Sequence, residues 1–480
     1  MRIIVWGINY WPEVTGIAPF NRGMCRFLSA RGHQVSMVTS FAYYPSWRKS
    51  PTDRGRILRT DVADEIPIHR CWHYVPAKAT TLRRILHELS FGLLSFARTL
   101  FLPRADLYLV VSPPLILGPL AGLICWLKRS QYVFHVQDLQ PDAALVLGMM
   151  RQHSLLGRVL HGMAAKSYRE ASLVSGISHS MLAAFAEKNV PPDKRHYLPN
   201  WVEIPVASGQ SQQGGRRQTS GDDTRRANAI ACSERREING DSALAVVCDG
   251  RESSPGFGVL PEDHRQLGSS EWRSRYRIPA NAFVASYSGN LGRKQGLEVL
   301  IDAAELLNDA PLHGTRPIII LIVGDGAMRP MLEARFRERP MSNARLLPLL
   351  GEAEYREMMA ASDVCLITQA KGTGQFCLPS KLLSILLAGR PVAAAADESS
   401  ELAWAVRQGE FGVVVPAEDP RAIATVLTEL ATQPEELDRC GWRGAQWVRR
   451  FEAGAVLGKL EQRLNDLVRG RRVSVRVASN

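Results

Sequence analysis

The chain has 480 residues, which excludes a single ordinary hydrophobic core and predicts two or three domains. Its composition, 45% hydrophobic and 22% charged, is ordinary for a globular protein. The formal net charge of +12 favours an anionic partner, and charge alone does not choose among a nucleic acid, an anionic lipid surface and a phosphorylated substrate.

The first residues, MRIIVWGINYWPE, lack the basic region, apolar core and cleavage site of a signal peptide, and we expect none. The most apolar region, residues 106–129, is interrupted by Pro113, Pro114 and Pro119. We interpret it as a buried strand, a turn and a helix instead of a membrane span. Eight scattered cysteines without C-x-x-C spacing or a Cys/His cluster predict a reducing, cytoplasmic compartment and no metal site.

Strands and helices alternate through the first half of the chain. Apolar runs predict five buried strands, at residues 2–8, 33–40, 106–112, 131–136 and 171–178. A helix at 19–32 ends on Gly32. Such alternation requires parallel strands joined by crossover helices, hence a doubly wound sheet. We therefore assign residues 1–205 to a Rossmann-like domain.

A leucine-rich segment at residues 81–104 lies within this first half. Its apolar residues recur at helical spacing: Leu82, Ile85, Leu86, Leu89, Leu93 and Phe96. Four arginines, Arg83, Arg84, Arg98 and Arg104, lie around them, opposed only by Glu88. The pattern fits an amphipathic helix on an anionic membrane surface, and it fits a core helix of the first domain equally well.

Residues 206–268 differ from both halves. The stretch SGQSQQGGRRQTSGDDTRRANA (208–229) is rich in Gly, Ser and Gln and carries charges of both signs. It cannot bury enough apolar surface to offset the entropy of ordering, which predicts an inserted, mostly disordered linker.

Alternation resumes after the linker. Six more strands are predicted, at residues 283–289, 317–324, 344–350, 363–369, 390–396 and 412–417. They predict a second doubly wound domain at residues 269–465, followed by a tail at 466–480.

The stretch SYSGNLGRKQGL (286–297) has the pattern of a strand, a tight turn and a helix. Gly289 and Gly292 allow a ligand to approach the backbone closely, and a helix starting near Gln295 would point its N–H groups at the turn. Arg293 and Lys294 add positive charge. The pattern indicates a phosphate or pyrophosphate site, and a plain turn with a solvated basic pair fits it equally.

Two further stretches of the second half have related patterns. IVGDGAMRPMLE (322–333) places Gly324 in a strand–turn–helix junction, which more often occurs without a ligand. In FCLPSKLLSILLAGRPV (376–392), Ser380 is a good helix N-cap, while Lys381 lies in the first turn, where the helix dipole disfavours a cation. An anion at that end would explain the lysine; a capped helix with an incidental lysine is the alternative.

The first half offers two candidate loops at the carboxyl edge of its sheet, where ligands of such sheets collect. VFHVQDLQPD (133–142) carries His135 and Asp138, which could position a hydroxyl or manage a proton. GINYWPEVTGIAPF (7–20) carries Glu13 and Gly16. An ordinary histidine in a loop and an ordinary strand–helix connection fit these two patterns as well.

Taken together and in this order, these stretches resemble the retaining GT-B glycosyltransferases of the family-four type, and especially the WcaI-like enzymes of colanic acid and other exopolysaccharide biosynthesis. The resemblance covers roughly residues 1–205 and 270–465. It rests on YSGNLGRKQGLEVL, HVQDLQPD, LPNWVE, IVGDGAMR, LPLL and LPSKLL…AGRPV. It implies an α/β protein of GT-B fold, with two facing Rossmann-like doubly wound domains and an interdomain cleft.

The resemblance also implies roles for residues. The nucleotide-diphosphate sugar would lie on the second domain, held by Gly289, Asn290, Arg293, Lys294, Gly324, Ser380 and Lys381. His135 or Asp138 would contact the transferred sugar across the cleft. Glu13 and Gly16 would line the acceptor side.

One departure from the family concerns acidic residues. Many relatives carry two glutamates eight residues apart, and the corresponding positions here hold Phe376 and Ser384. Glu401 is the substitute candidate for the missing carboxylate.

The implied reaction is a retaining, metal-independent transfer of a hexose or deoxyhexose to a lipid-linked glycan, with no cofactor besides the donor. An inactive GT-B module that serves as a binding or assembly subunit is the alternative. The hypothesis of a nucleic-acid-binding protein rests only on the net charge, and the sequence shows no recognisable module for binding nucleic acid.

Overall fold

A computed structural model describes residues 1–44, 46–77, 80–140, 142, 154–204, 270–309, 316–374 and 378–478. The predicted linker at 206–268 and Phe376 lie outside the described residues. The described residues belong to one compact unit that contains two sheets.

The first sheet has eight strands in the order β3-β4-β2-β1-β5-β6-β7-β8. Their bounds are β1 Arg2–Trp6, β2 Gln34–Ser40, β3 Leu58–Ala63, β4 Ile66–Cys71, β5 Leu107–Ser112, β6 Tyr132–Val136, β7 Leu173–Gly176 and β8 Arg195–Tyr197. All neighbours are parallel except the antiparallel pair β3–β4. The five predicted strands are confirmed. The β3–β4 hairpin and the short β8 were not predicted, because they carry few consecutive apolar residues.

Helices cover both faces of this sheet. They are α1 Ala18–Ala30, α2 Thr81–Phe101, α3 Leu117–Leu127, α4 Leu155–Glu170 and α5 His179–Glu187. α2, α3, α4 and α5 share one apolar core with one face of the sheet, whereas α1 packs on the other face. Residues 106–129 thus form a strand and a helix as predicted. No described helix is long and apolar enough to cross a membrane.

The second sheet has six parallel strands in the order β11-β10-β9-β12-β13-β14. They are β9 Phe283–Asn290, β10 Ile318–Asp325, β11 Ala344–Leu347, β12 Val364–Thr368, β13 Val392–Ala395 and β14 Gly412–Val415. The helices are α6 Glu298–Asp309, α7 Arg329–Glu338, α8 Glu352–Ala361, α9 Ser380–Leu387, α10 Glu401–Gly409, α11 Pro420–Leu430, α12 Pro434–Trp447 and α13 Ala453–Ala478. Apolar clusters lie on both faces, so the predicted doubly wound class is confirmed.

The last helix returns to the first sheet. Leu457, Leu460 and Leu464 of α13 are buried in one cluster with Val5 of β1 and Leu28 of α1. The predicted boundary at residue 465 therefore falls inside a helix, and residues 466–478 continue that helix. The sequence prediction missed this return because helical periodicity does not indicate which sheet a helix covers.

Candidate functional site

The carboxyl ends of β9 and β10 form a side-by-side pair of glycines. Gly289 and Gly324 are register partners, with φ of 140° and 144°. A Cβ added to Gly324 would lie 1.9 Å from the carbonyl oxygen of Gly289, and one added to Gly289 would lie 3.2 Å from Nζ of Lys381. Neither the backbone conformation nor the space admits a side chain at Gly324. The result is a bare backbone edge that faces Lys381.

This edge lies where the strand order reverses, because β9 pairs with both β10 and β12. Ligands of doubly wound sheets bind outside the carboxyl ends of the strands at such a switch point. The loop after β12 closes on the loop after β9: Ala370 N donates to Lys294 O at 2.9 Å, and Thr373 Oγ1 donates to the same oxygen at 3.2 Å. The backbone under Lys294 is therefore anchored.

The turn after β9 differs from the prediction. Arg293–Gln295 form a 3-10 turn that ends on the left-handed Gly296, and the α-helix begins only at Glu298. The predicted helix start near Gln295 is therefore wrong by three residues, because the glycines allow a tighter turn first. The exposed Asn290 and Lys294 lie before and within this turn.

Ser380 is the first residue of α9 and does not cap it. Pro379 occupies the cap position, and no side chain makes a capping hydrogen bond there. The prediction that Ser380 caps the helix is wrong, because the helix begins at Ser380 itself and the cap position falls on Pro379. Among the described residues, no side chain accepts a hydrogen bond from the first-turn backbone N–H groups, that of Lys381 included.

Lys381 has the most unusual electrostatic environment in the site. Its Nζ is buried and has no hydrogen-bond partner among the described residues, and it lies 3.6 Å from the centroid of the Tyr287 ring. Burial, assisted by the positive charge of Lys294, lowers the pKa of Lys381 to about 7. A buried ammonium without a counter-ion is disfavoured. The arrangement is therefore suited to an anionic ligand that would restore the missing partner.

Tyr287 was not recognised from the sequence. Its hydroxyl donates to Asn290 O at 2.9 Å, which fixes the ring under Lys381. Its place in a buried strand, two residues before Gly289, marks it only as a core residue. Its contact with the ammonium group of Lys381 could not be predicted, because that lysine comes almost a hundred residues later in the sequence.

Lys294 and Asp138 meet across the cleft. Lys294 Nζ lies 3.7 Å from Asp138 Oδ1, and both side chains are about half exposed. Lys294 comes from the second domain and Asp138 from the loop after β6 of the first. The structure thus brings together the basic residue of the glycine turn and the carboxylate predicted to face the transferred sugar.

His135 lies behind this pair, inside the sheet. Its exposed fraction is 1%, its Nδ1 lies 3.0 Å from Ser175 Oγ, and Gln137 Nε2 donates to its Nε2 at 2.8 Å. Burial, with a smaller effect of His196, lowers the pKa of His135 to about 3. A neutral histidine with both ring nitrogens engaged is suited to orienting Gln137, and protein surrounds it on every side.

Glu13 organises the loops that the family resemblance predicts to line the acceptor side. Its Oε1 accepts hydrogen bonds from the backbone N–H groups of Tyr43, at 2.9 Å, and Tyr44, at 3.0 Å. Asn9 Nδ2 donates to Oε2 at 2.8 Å, and burial raises the pKa of Glu13. Gly16, at φ 68°, packs on the Tyr44 ring, 3.4 Å from the position of an added Cβ. Tyr44, which the sequence did not single out, thus borders this side.

Glu401 and Arg293 lie away from the glycine pair. Glu401 Oε1 accepts from His179 N at 3.1 Å and Oε2 from Ser180 N at 3.2 Å, so this second-domain carboxylate caps α5 of the first domain. Arg293 lines a pocket of about 290 Å³ together with Glu298, Asp302 and Glu418. The contacts of Glu401 account for that side chain without a ligand, whereas Arg293 is exposed at the rim of its pocket.

Two family matches cover the two halves. Residues 15–201 match the family described as "Glycosyl transferase 4-like domain". Residues 282–433 match the family described as "Glycosyl transferases group 1". The second range contains the glycine pair, Lys294 and Lys381, and the first contains Asp138.

Comparisons with individual proteins agree with these family matches. The chain is 29% identical over 407 residues, 84% of its length and 85% of the relative's, to a protein of Escherichia coli (strain K12) named as the colanic acid biosynthesis glycosyl transferase WcaI. Among solved structures, the sucrose-phosphate synthase of Thermosynechococcus elongatus aligns with a TM-score of 0.65 at 14% identity, over 98% of this chain and 99% of the other. Anabaena Alr3699/HepE in complex with UDP-glucose aligns with a TM-score of 0.61 at 14% identity, over 97% and 100%.

Proposed function

The chain has the GT-B fold, with a glycosyl transferase 4-like domain followed by a glycosyl transferases group 1 domain. On this basis we propose that it acts in polysaccharide biosynthesis and transfers a hexose or deoxyhexose from a nucleotide-diphosphate sugar to a lipid-linked glycan on the cytoplasmic side of a membrane. We propose further that the anomeric configuration is retained and that no metal ion takes part.

The observation that carries this proposal is the buried ammonium of Lys381. It is aimed at the bare backbone of Gly289 and lacks an anionic partner among the described residues. A diphosphate on this edge would accept hydrogen bonds from Lys381, from Lys294 and from backbone N–H groups near Asn290 and α9. UDP-glucose bound to the structurally similar HepE supports a nucleotide sugar as the ligand class.

The reaction follows from that placement. The bond between C1 of the sugar and the diphosphate oxygen breaks, and C1 bonds to the acceptor hydroxyl on the same face. The hydroxyl proton passes to an oxygen of the departing diphosphate, so the protein need not supply a base. Lys294 and Lys381 stabilise the negative charge that develops on the leaving group, which is the role that a metal ion has in other enzymes.

Asp138 is assigned to the transferred sugar. Its Oδ1 lies 3.7 Å from Lys294 Nζ, and a bound diphosphate would compete for that lysine and leave the carboxylate facing the sugar hydroxyls. His135 is assigned to hold Gln137 beside it, since it is neutral and buried. Gly16 and Tyr44 are assigned to the acceptor side, with Glu13 fixing the Tyr44 backbone.

The missing glutamates do not favour an inactive module. Ser384, at one of those positions, donates its hydroxyl to Lys381 O at 2.9 Å and so supports the turn that carries the lysine. The other position, Phe376, lies outside the described residues. The two lysines and the glycine pair are all present, and these are the groups that the proposed reaction uses.

The test uses the purified full chain. A panel of nucleotide-diphosphate sugars is screened for thermal stabilisation, because a ligand that binds only the folded state raises the melting temperature. The stabilising donor is then incubated with lipid-linked glycan in the presence of excess EDTA, and the anomeric configuration of the product is read by NMR. Failure of every donor to stabilise the chain would contradict the proposal, and an inverted product would contradict its mechanism.

A further inference from the structure

Helix α2 packs on the core with only part of its apolar pattern. Its fully buried side chains include His87, Phe91, Ser95 and Thr99, and Leu94 and Phe96 pack on the same core partly buried. Polar contacts serve that face: Trp6 Nε1 donates to Ser95 Oγ at 3.0 Å, and Thr99 Oγ1 donates to Ser95 O at 2.7 Å. An amphipathic helix of a globular domain normally turns its leucines to the core.

A row of leucines on the other side of α2 faces outward. Leu82 is 77% exposed, Leu86 51% and Leu93 61%. Their spacing of four and seven residues puts them on one side of the helix. Leaving such a row in water is unfavourable in proportion to its apolar area, so the row indicates a surface that something apolar covers.

The two neighbouring helices extend this surface. Gly92 of α2 lies against Ile116 at the start of α3, and Gly118 of α3 lies against Ser167 of α4, so the three helices are adjacent. Lys128, just after α3, donates to the carbonyl oxygens at the end of α2. Large exposed apolar side chains continue across them: Phe101 on α2, Leu123, Trp126 and Leu127 on α3, and Leu155 and Val159 on α4. We call the outward face of α2, α3 and α4 the apolar face.

The charges on these helices have one predominant sign. Within α2, α3 and α4 there are six basic side chains and two acidic ones. Arg83, Arg84 and Arg158 are exposed in the first turns of α2 and α4. Arg104 and Arg129 are exposed just after the carboxyl ends of α2 and α3. An apolar face edged with arginines and containing an exposed tryptophan has the chemistry of a surface for anionic lipid.

We propose that the apolar face docks on the headgroup and upper acyl layer of an anionic leaflet, with α2 lying in the plane of the interface. This inference rests on the proposed function, in which the acceptor is lipid-linked. The amino end of α2 borders the proposed acceptor side, because the Arg84 guanidinium lies 5.8 Å from the centroid of the Trp47 ring. Trp47 follows Tyr44 in the loop after β2. Docking through this face brings the acceptor loops to the lipid surface. It also resolves the two alternatives left by the sequence, since α2 has one face in the core and the other toward lipid.

The test is flotation of the full chain with vesicles of phosphatidylcholine alone or mixed with phosphatidylglycerol, at low and high salt. We expect binding to the mixed vesicles at low salt and at least tenfold weaker binding at high salt or without anionic lipid. Trp126→Ser and Leu93→Ser should each weaken binding several-fold, and Arg83→Glu with Arg158→Glu should abolish it. The matched controls are Trp442→Ser, whose side chain is 67% exposed on α12, and Arg421→Glu on α11, both in the second domain.

Three outcomes would overturn the proposal. One is absence of flotation with anionic vesicles at low salt, and another is equal binding by the variants and their controls. The third is a concentration-dependent dimer that Trp126→Ser abolishes while vesicles bind no protein, which would assign the face to a second copy of the chain. Thermal stabilisation by the donor serves as a separate measure of folding and of donor binding. A chain that binds donor but not vesicles would leave the proposed reaction standing and remove only the docking.

Discussion

The Nζ atom of Lys381 lies 3.6 Å from the centroid of the Tyr287 ring, and this cation–π contact is the closest approximation to a counter-ion that the lysine has among the described residues. Such a contact contributes about 0.5–2 kcal/mol, much less than a hydrogen-bonded anion in the same place. The environment of Lys381 therefore favours an anionic partner over the aromatic ring alone.

Replacing Lys381 should affect donor binding and the stability of the folded chain in different ways. Lys381→Met should weaken donor binding by about 2–4 kcal/mol, roughly 30- to 1000-fold, because a desolvated charge pair loses one partner. The melting temperature of the ligand-free chain should stay the same or rise, since the variant removes an uncompensated buried charge. Calorimetric titration and thermal unfolding measure the two effects. The control is Lys459→Met, at an exposed position of α13; an equal loss of affinity in the control would refute the assignment.

The pKa of Lys381 gives opposite pH trends for stability and for binding. Burial lowers this pKa to about 7 from the ordinary 10.5, so between these values the unfolded chain binds more protons than the folded chain. Stability contributed by Lys381 should therefore rise with pH across this window. Donor affinity should fall there, by up to about tenfold per pH unit, because only the protonated lysine attracts the diphosphate.

The difference between wild type and Lys381→Met isolates both trends, because other titrating groups are common to the two proteins. Donor affinities that decline in parallel in the two proteins would assign the effect to another group.

Lys294 and Asp138 should affect different steps. Lys294→Ala should weaken donor binding by about 2–4 kcal/mol if it contacts the diphosphate. Asp138→Asn should lower kcat with little effect on donor affinity, since the sugar contact matters most during transfer. Neither change should lower the melting temperature much, because a half-exposed ion pair contributes about 1 kcal/mol or less. Steady-state kinetics on both variants would exclude these roles if Asp138→Asn changed only donor affinity.

The glycine pair should not tolerate a methyl group. Gly324→Ala places Cβ 1.9 Å from Gly289 O at a φ of 144°, so the strand ends must separate. We expect a loss of about 2–4 kcal/mol in unfolding free energy together with loss of donor binding. Gly458→Ala is the control, since nothing lies within 4 Å of its added Cβ and it sits inside α13. That change should stabilise the chain by up to about 1 kcal/mol.

Replacing Glu401 tests whether its carboxylate serves a contact between the domains or recognises the donor. Glu401→Ala removes the acceptor of two backbone N–H groups at the start of α5 and should cost about 1–2 kcal/mol of stability. Donor affinity should remain within about twofold if capping is the whole role. A large loss of donor affinity in a variant with unchanged melting temperature would instead restore the role inferred from the family resemblance.

The apolar runs of the sequence predicted the two doubly wound sheets, and its glycines predicted the turn at which we propose that the donor binds. Lys381 stood out because a cation at a helix start is electrostatically unfavourable, and that reasoning uses only local sequence. The Tyr287 ring, the Glu401 cap and the return of α13 depend on contacts between distant segments, which no local pattern records. The outward leucines of α2 show the same limit: periodicity locates an apolar stripe, and only packing decides whether it faces core or solvent.

A crystal structure of the chain with a nucleoside diphosphate would test the central assignment most directly. We expect diphosphate oxygens within about 3 Å of Lys381 Nζ and of a backbone N–H beside Gly289, with Lys294 turned from Asp138 toward the phosphates. A diphosphate bound elsewhere, such as the pocket lined by Arg293 and Glu418, with Lys381 still against Tyr287, would contradict it.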